Sequence, residues 1–121
     1  MSSRERLKKK RVLISVYKDS AGWIYGFEAE GHAGDVPSGG NIICAGISAI
    51  AYAIAGSLQK LTGGACHTED VEKGFMSCFT PSDIDEYTDD KAQTIMEVME
   101  IGFLQMAKAY PQEIKLIYEE V

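Results

Sequence analysis

The spacing of apolar positions changes several times along this chain, and each change marks an element. Val12, Ile14 and Val16 alternate with Leu13, Ser15 and Tyr17, the two-residue period of a strand. Lys18 to Gly22 contains Asp, Ser and Gly and predicts a turn. Trp23 to Glu30 is aromatic-rich and extended, the second arm of a hairpin. Gly31 to Gly40, with four glycines and one proline in ten residues, predicts a loop.

From Asn41 the pattern turns helical and almost wholly apolar through Leu61, and Gly63-Gly64 stops it. Ala45, Gly46, Ala49, Ala53, Ala55 and Gly56 are small enough to let a neighbouring backbone approach closely. A helix apolar on nearly every side is expected to be buried on nearly every side, here by a second helix or by a partner subunit. Val71 to Thr80 predicts a third strand and Pro81 to Tyr87 an acidic loop. Thr88 is the expected N-cap of a second helix, with Asp89 and Asp90 in its first turn. Ala92, Ile95, Met96, Met99, Phe103 and Met106 then recur at helical spacing, and this methionine-rich stripe reads as core. Lys108 falls in the last turn and Pro111 forbids continuation. Ile114, Leu116 and Tyr118 form a closing strand. The reading is an α+β single domain, β-β-α-β-α-β, with a four-stranded mixed sheet and two helices, and with no internal repeat or low-complexity segment.

Charge divides the chain in two. Six of the 12 basic residues fall within residues 1–11 (Arg4, Arg6, Lys8, Lys9, Lys10, Arg11), giving that segment +5 and leaving −11 on residues 12–121. Residues 1–11 are expected to be a solvated basic tail and 12–121 the functional domain. The acidic body disfavours direct RNA binding outside the tail and favours basic peptides. The N-terminal charges run into a strand, unlike a signal peptide, so a cytoplasmic protein is expected. Asn41 to Gln59 is uncharged but short for a bilayer span and poor in leucine, so a core helix is expected and no membrane contact. An odd count of cysteines (Cys44, Cys66, Cys78) without regular spacing points to thiols in a reducing compartment.

Candidate chemistry concentrates in Gly31-His32-Ala33-Gly34 and Asn41-Ile42-Ile43-Cys44-Ala45-Gly46. With Asn41 as N-cap, Cys44 falls in the first helical turn, where the dipole and unpaired N–H groups favour a thiolate and an oxyanion. His32, across the glycine-rich loop, is the natural general base. Ser48 lies one turn beyond Cys44 on the same face and is a supporting residue, although a serine bonded to its own helix is the ordinary case. Cys66-His67 with Cys78 lacks zinc-type spacing, and no nucleotide-binding pattern is present, so no metal and no cofactor is expected.

The pair of segments resembles the ribosomal-processing cysteine proteases called Prp. The resemblance rests on Gly31-His32-Ala33-Gly34, the eleven residues separating His32 from Cys44, and Ile43-Cys44-Ala45-Gly46-Ile47-Ser48-Ala49; elsewhere it is one of element order. It implies an endopeptidase that removes a short N-terminal extension from a bacterial large-subunit ribosomal protein. It further implies Cys44 as nucleophile, His32 as base, Gly31 and Gly34 as supports, a closing loop and a homodimer. Asn41 departs from the family's aspartate at that position, so it accepts a hydrogen bond without stabilising an imidazolium by charge, and Asp35 is a candidate replacement. The loop also carries Pro37 and lacks the family's tyrosine. A non-catalytic, ribosome-associated binding module with the same fold is the alternative.

Overall fold

The structure is a computed structural model that describes residues 11–31 and 37–121, with side chains from residue 42 onward in the second segment. The tail before Arg11 and the positions His32, Gly34 and Asp35 lie outside the described residues. Among the described residues, five strands and two helices follow in the order β1 (Val12–Lys18), β2 (Ile24–Glu30), α1 (Pro37–Thr62), β3 (His67–Asp70), β4 (Phe75–Phe79), α2 (Glu86–Ala109) and β5 (Ile114–Glu120). The sheet order is β3-β4-β2-β1-β5. All neighbours are antiparallel except β1 and β5, which run parallel.

The predicted fold class holds, with one strand more than the sequence suggested. Val71–Gly74 is a turn, so the predicted strand Val71 to Thr80 contains only the turn and the second arm, Phe75–Phe79, of a hairpin whose first arm, His67–Asp70, lies before it. Gly74 has φ +63°, and its N–H donates to the Val71 carbonyl at 3.2 Å, which closes the turn.

Register explains the core. Val12, Ile14 and Val16 share one sheet face with Ala29 and Phe27 on β2, Met76 and Cys78 on β4, and Ile114 on β5. That face and the inner stripes of both helices form a single apolar cluster, to which α1 gives Ile43, Ile47, Ala51, Ile54, Ala55 and Leu58. α2 contributes Ala92, Met96, Met99 and Phe103. The two helices pack closely through small residues: a side chain on Gly46 would meet Met106 at 2.8 Å.

α1 by length and composition is apolar enough to cross a membrane, but its inner stripe is in this core. The expectation of burial on nearly every side is met only in part. α2 covers one flank, while the outward face stays exposed at Ala45, Ala49, Ala53 and Gly56, and Ile42 is 65% accessible.

Both helix starts differ from the sequence reading. α1 begins at Pro37, four residues before Asn41; proline suits a first position, where its missing N–H would have had no partner. α2 begins at Glu86, and Asp85 rather than Thr88 is the cap, its carboxylate accepting the Thr88 N–H at 2.7 Å. That acceptor role holds the Asp85 carboxyl below its ordinary range. The end of α1 is as expected: Gly63, at φ +84°, donates to the Gln59 carbonyl at 2.8 Å.

One buried polar side chain ties α2 to the sheet. The Gln93 Oε1 accepts the Ile24 N–H at 2.9 Å, and its Nε2 donates to the Ile24 carbonyl at 3.0 Å. Gln93→Ala strands both backbone groups in a dry site. The expected cost is about 2 kcal/mol, read as a lower urea midpoint with an unchanged slope.

Candidate active site

Cys44 is half-buried on α1, its side chain packed against the core. It opens on a cavity of about 220 Å³ between α1, the ends of β1 and β2, and the β3–β4 hairpin. Cys44, Ser48 and Tyr52 stand at successive turns of α1 along this cavity, with Ile47 and Ala51 below them. Ala29 and Met76 continue the apolar floor from the sheet, and Glu69 and Asp70 form a polar wall opposite.

Gly31 lines the same cavity. It sits at φ +99°, a conformation open to glycine, and a Cβ there would lie 2.6 Å from the Arg11 carbonyl oxygen. Its N–H donates to the Gly74 carbonyl at 2.9 Å. Gly31 is therefore held between the start of β1 and the hairpin turn. Of the residues singled out from sequence, Cys44, Ser48 and Gly31 meet at one cavity.

The location of Cys44 corrects one expectation. With the helix starting at Pro37, Asn41 lies inside α1 and is not its N-cap, and Cys44 is the eighth helical residue, about two turns in. The dipole's influence fades beyond the first turn, and backbone N–H groups at that depth are engaged within the helix. Neither the thiolate nor the oxyanion argument from the helix end applies to Cys44.

The remaining cysteines belong elsewhere. Cys78 is fully buried beneath the helices, and burial, with a smaller contribution from Cys66, pushes its thiol up to about 12. A thiol held there is no nucleophile near neutral pH. Among the described residues, no group of three or more His, Cys, Asp or Glu is placed to hold a metal ion.

Tyr52 and Glu69 were not read from the sequence as site residues. The Tyr52 hydroxyl donates to the Glu69 carboxylate across the cavity, and this bond holds the phenol above its ordinary pKa. The four-residue spacing of Cys44, Ser48 and Tyr52 was the available signal for the tyrosine. Glu69 gave none, because its strand was not recognised.

Residues 12–115 match the family described as cysteine protease Prp. The chain belongs to the Prp family. Members are cysteine proteases, and the match spans every element from β1 to the start of β5. A search of curated proteins finds no match. Among solved structures, SMU.848 from Streptococcus mutans superposes with a TM-score of 0.77 at 21% identity, covering 93% of this chain and 97% of that one. The essential ribosomal processing protease Prp from Staphylococcus aureus, in complex with a substrate peptide, gives a TM-score of 0.71 at 20% identity, over 89% of this chain and 99% of its own. The same protease with a covalently linked product peptide gives 0.70 at 20% identity over the same spans. These likenesses establish the Prp fold for the chain.

Proposed function

We propose that this protein is a cytoplasmic cysteine endopeptidase that removes a short N-terminal extension from a bacterial large-subunit ribosomal protein. Cys44 is the nucleophile and His32 its general base. The observation that carries the reading is the position of Cys44: a half-buried thiol on a rigid helix, opening on a cleft of a size for peptide side chains, in a chain of the Prp family.

The steps follow from thiol chemistry. His32 takes the Cys44 proton as the sulfur attacks the scissile carbonyl, and a C–S bond forms as the carbonyl becomes an oxyanion. Collapse of that intermediate breaks the C–N bond, and the imidazolium gives its proton to the departing amine. Water, deprotonated by His32, then hydrolyses the thioester. Because Cys44 lies two turns inside α1, the histidine rather than the helix dipole carries thiol activation. Ser48 supports the site one turn along, and Gly31 and Gly34 flank His32.

The homodimer belongs to this proposal as well. Ile42 on α1 and Val98 and Ile101 on α2, all more than half accessible, give the two-helix surface an apolar character suited to a second copy. The binding-module alternative is favoured by one observation, asparagine at position 41 where the resemblance expects aspartate.

One experiment separates these readings. The purified protein is incubated with the extended form of the ribosomal protein, and products are identified by mass spectrometry. A single cut that releases the extension, blocked by prior alkylation of Cys44, is the expected result. Stable association without any product would establish the binding module instead.

A further inference from the structure

The cleft has an uneven wall. Register places Glu69 opposite Met76, which is opposite Ala29, so the carboxylate stands at the open edge of an apolar floor. Cys44 lies across that floor, and Tyr52, two turns after it, reaches over to donate its hydroxyl to Glu69. A carboxylate has two oxygens and about four acceptor sites, so one phenol donor orients it while leaving capacity for a cation. Asp70, the next residue of the strand, pairs with Phe75, and its Oδ1 accepts the Lys73 N–H at 3.1 Å in the hairpin turn, which leaves Glu69 as the carboxylate beside the floor.

An apolar trough that ends in an anchored carboxylate is complementary to a long cationic side chain. The methylenes of lysine or arginine lie along apolar surface while the charged head reaches a polar rim. We propose that Glu69, oriented by Tyr52, makes this cleft selective for a lysine or arginine side chain at one position of the bound peptide. The inference rests on the cleft being the peptide site of the protease reading and adds to it the substrate class. Glu69 is the specificity-determining residue, and Tyr52 is a positioning residue that acts through it. The −11 carried by residues 12–121 steers the same cationic peptides toward the site.

The test is a positional scan. Fluorogenic peptides spanning the extension junction carry Lys, Gln or Glu at each position in turn. The readout is the ratio of kcat/KM for the Lys peptide to that for the Gln peptide within one enzyme, which cancels any general loss of activity. The wild-type ratio is expected to favour lysine about fivefold at one position, the scale of a partly exposed ion pair. Glu69→Gln brings the ratio near one, Glu69→Lys inverts it in favour of the Glu peptide, and Tyr52→Phe gives an intermediate value. A ratio identical in wild type, Glu69→Gln and Glu69→Lys overturns the proposal. The same peptides are also titrated against Cys44→Ala by fluorescence anisotropy, with and without Glu69→Gln. If wild type cleaves no peptide, the protease reading fails while a lysine preference in binding, lost with Glu69→Gln, still upholds the assignment of Glu69. Equal binding of the Lys and Gln peptides, or no binding at all, overturns it.

Discussion

Cys44→Ala is expected to leave no measurable cleavage, a fall in kcat/KM of at least about a thousandfold. In the proposed mechanism the substitution removes the atom that forms the thioester, so no rearrangement of the cleft restores the reaction. Its effect on stability is small by comparison. The side chain is only half-buried, and truncation to alanine removes one sulfur from the edge of the core, at a cost of about 1 kcal/mol or less. Cys44→Ser adds a control for shape: it keeps a polar atom at nearly the same place but replaces the thiol with a much weaker nucleophile in a site not built for it, and it too is expected to be nearly inactive. Initial rates and urea midpoints on the same preparations separate chemistry from folding. Full activity in Cys44→Ala would remove Cys44 from the mechanism.

The largest stability effect is expected at Phe103. Its ring is fully buried and meets Phe27 edge-on, with centroids 5.2 Å apart. Together with the Gln93–Ile24 pair, it keys α2 to the second strand. Phe103→Ala removes the transfer free energy of the ring and leaves a void that two helices and a sheet cannot jointly close, a loss of about 3–5 kcal/mol. Edge-to-face pairing adds to this beyond buried area. Against a typical total of about 5–15 kcal/mol, that brings the domain close to unfolding. Phe103→Leu, which refills most of the space, is expected to recover more than half of the loss. Urea denaturation followed by far-ultraviolet circular dichroism reads both, and equal midpoints for the two variants would show that ring volume is not what matters there.

How much of this was legible beforehand depends on whether an element is written in side chains or in backbone pairing. β1 and β5 carry alternating apolar residues and were plain. α2 carries a stripe at helical spacing and was plain too, apart from its first turn. β3 reads His67-Thr68-Glu69-Asp70, four polar residues with no apolar alternation. It exists because its backbone pairs with β4, and pairing leaves no mark in a single sequence.

The start of α1 was hidden for the opposite reason. Ser38-Gly39-Gly40 are poor helix formers, yet the helix runs through them from Pro37. Local propensity pointed to a loop, and it was overridden. That misplacement made a dipole argument for Cys44 look available when it was not. Cys44 was legible as a candidate through the residues around it, whereas Glu69 required the hairpin to be known first.

The parallel pairing of β1 with β5 has a consequence for the life of the chain before it is complete. Val12 and Lys18 pair with Ile114 and Glu120, so the first strand made on the ribosome takes its outer neighbour from the last. Contacts that distant in sequence close slowly. Until β5 has been made, β1 presents an unpaired edge that other nascent chains can join. Val12 also lines the cleft, so the border of the cleft reaches its final pairing only once β5 has been made.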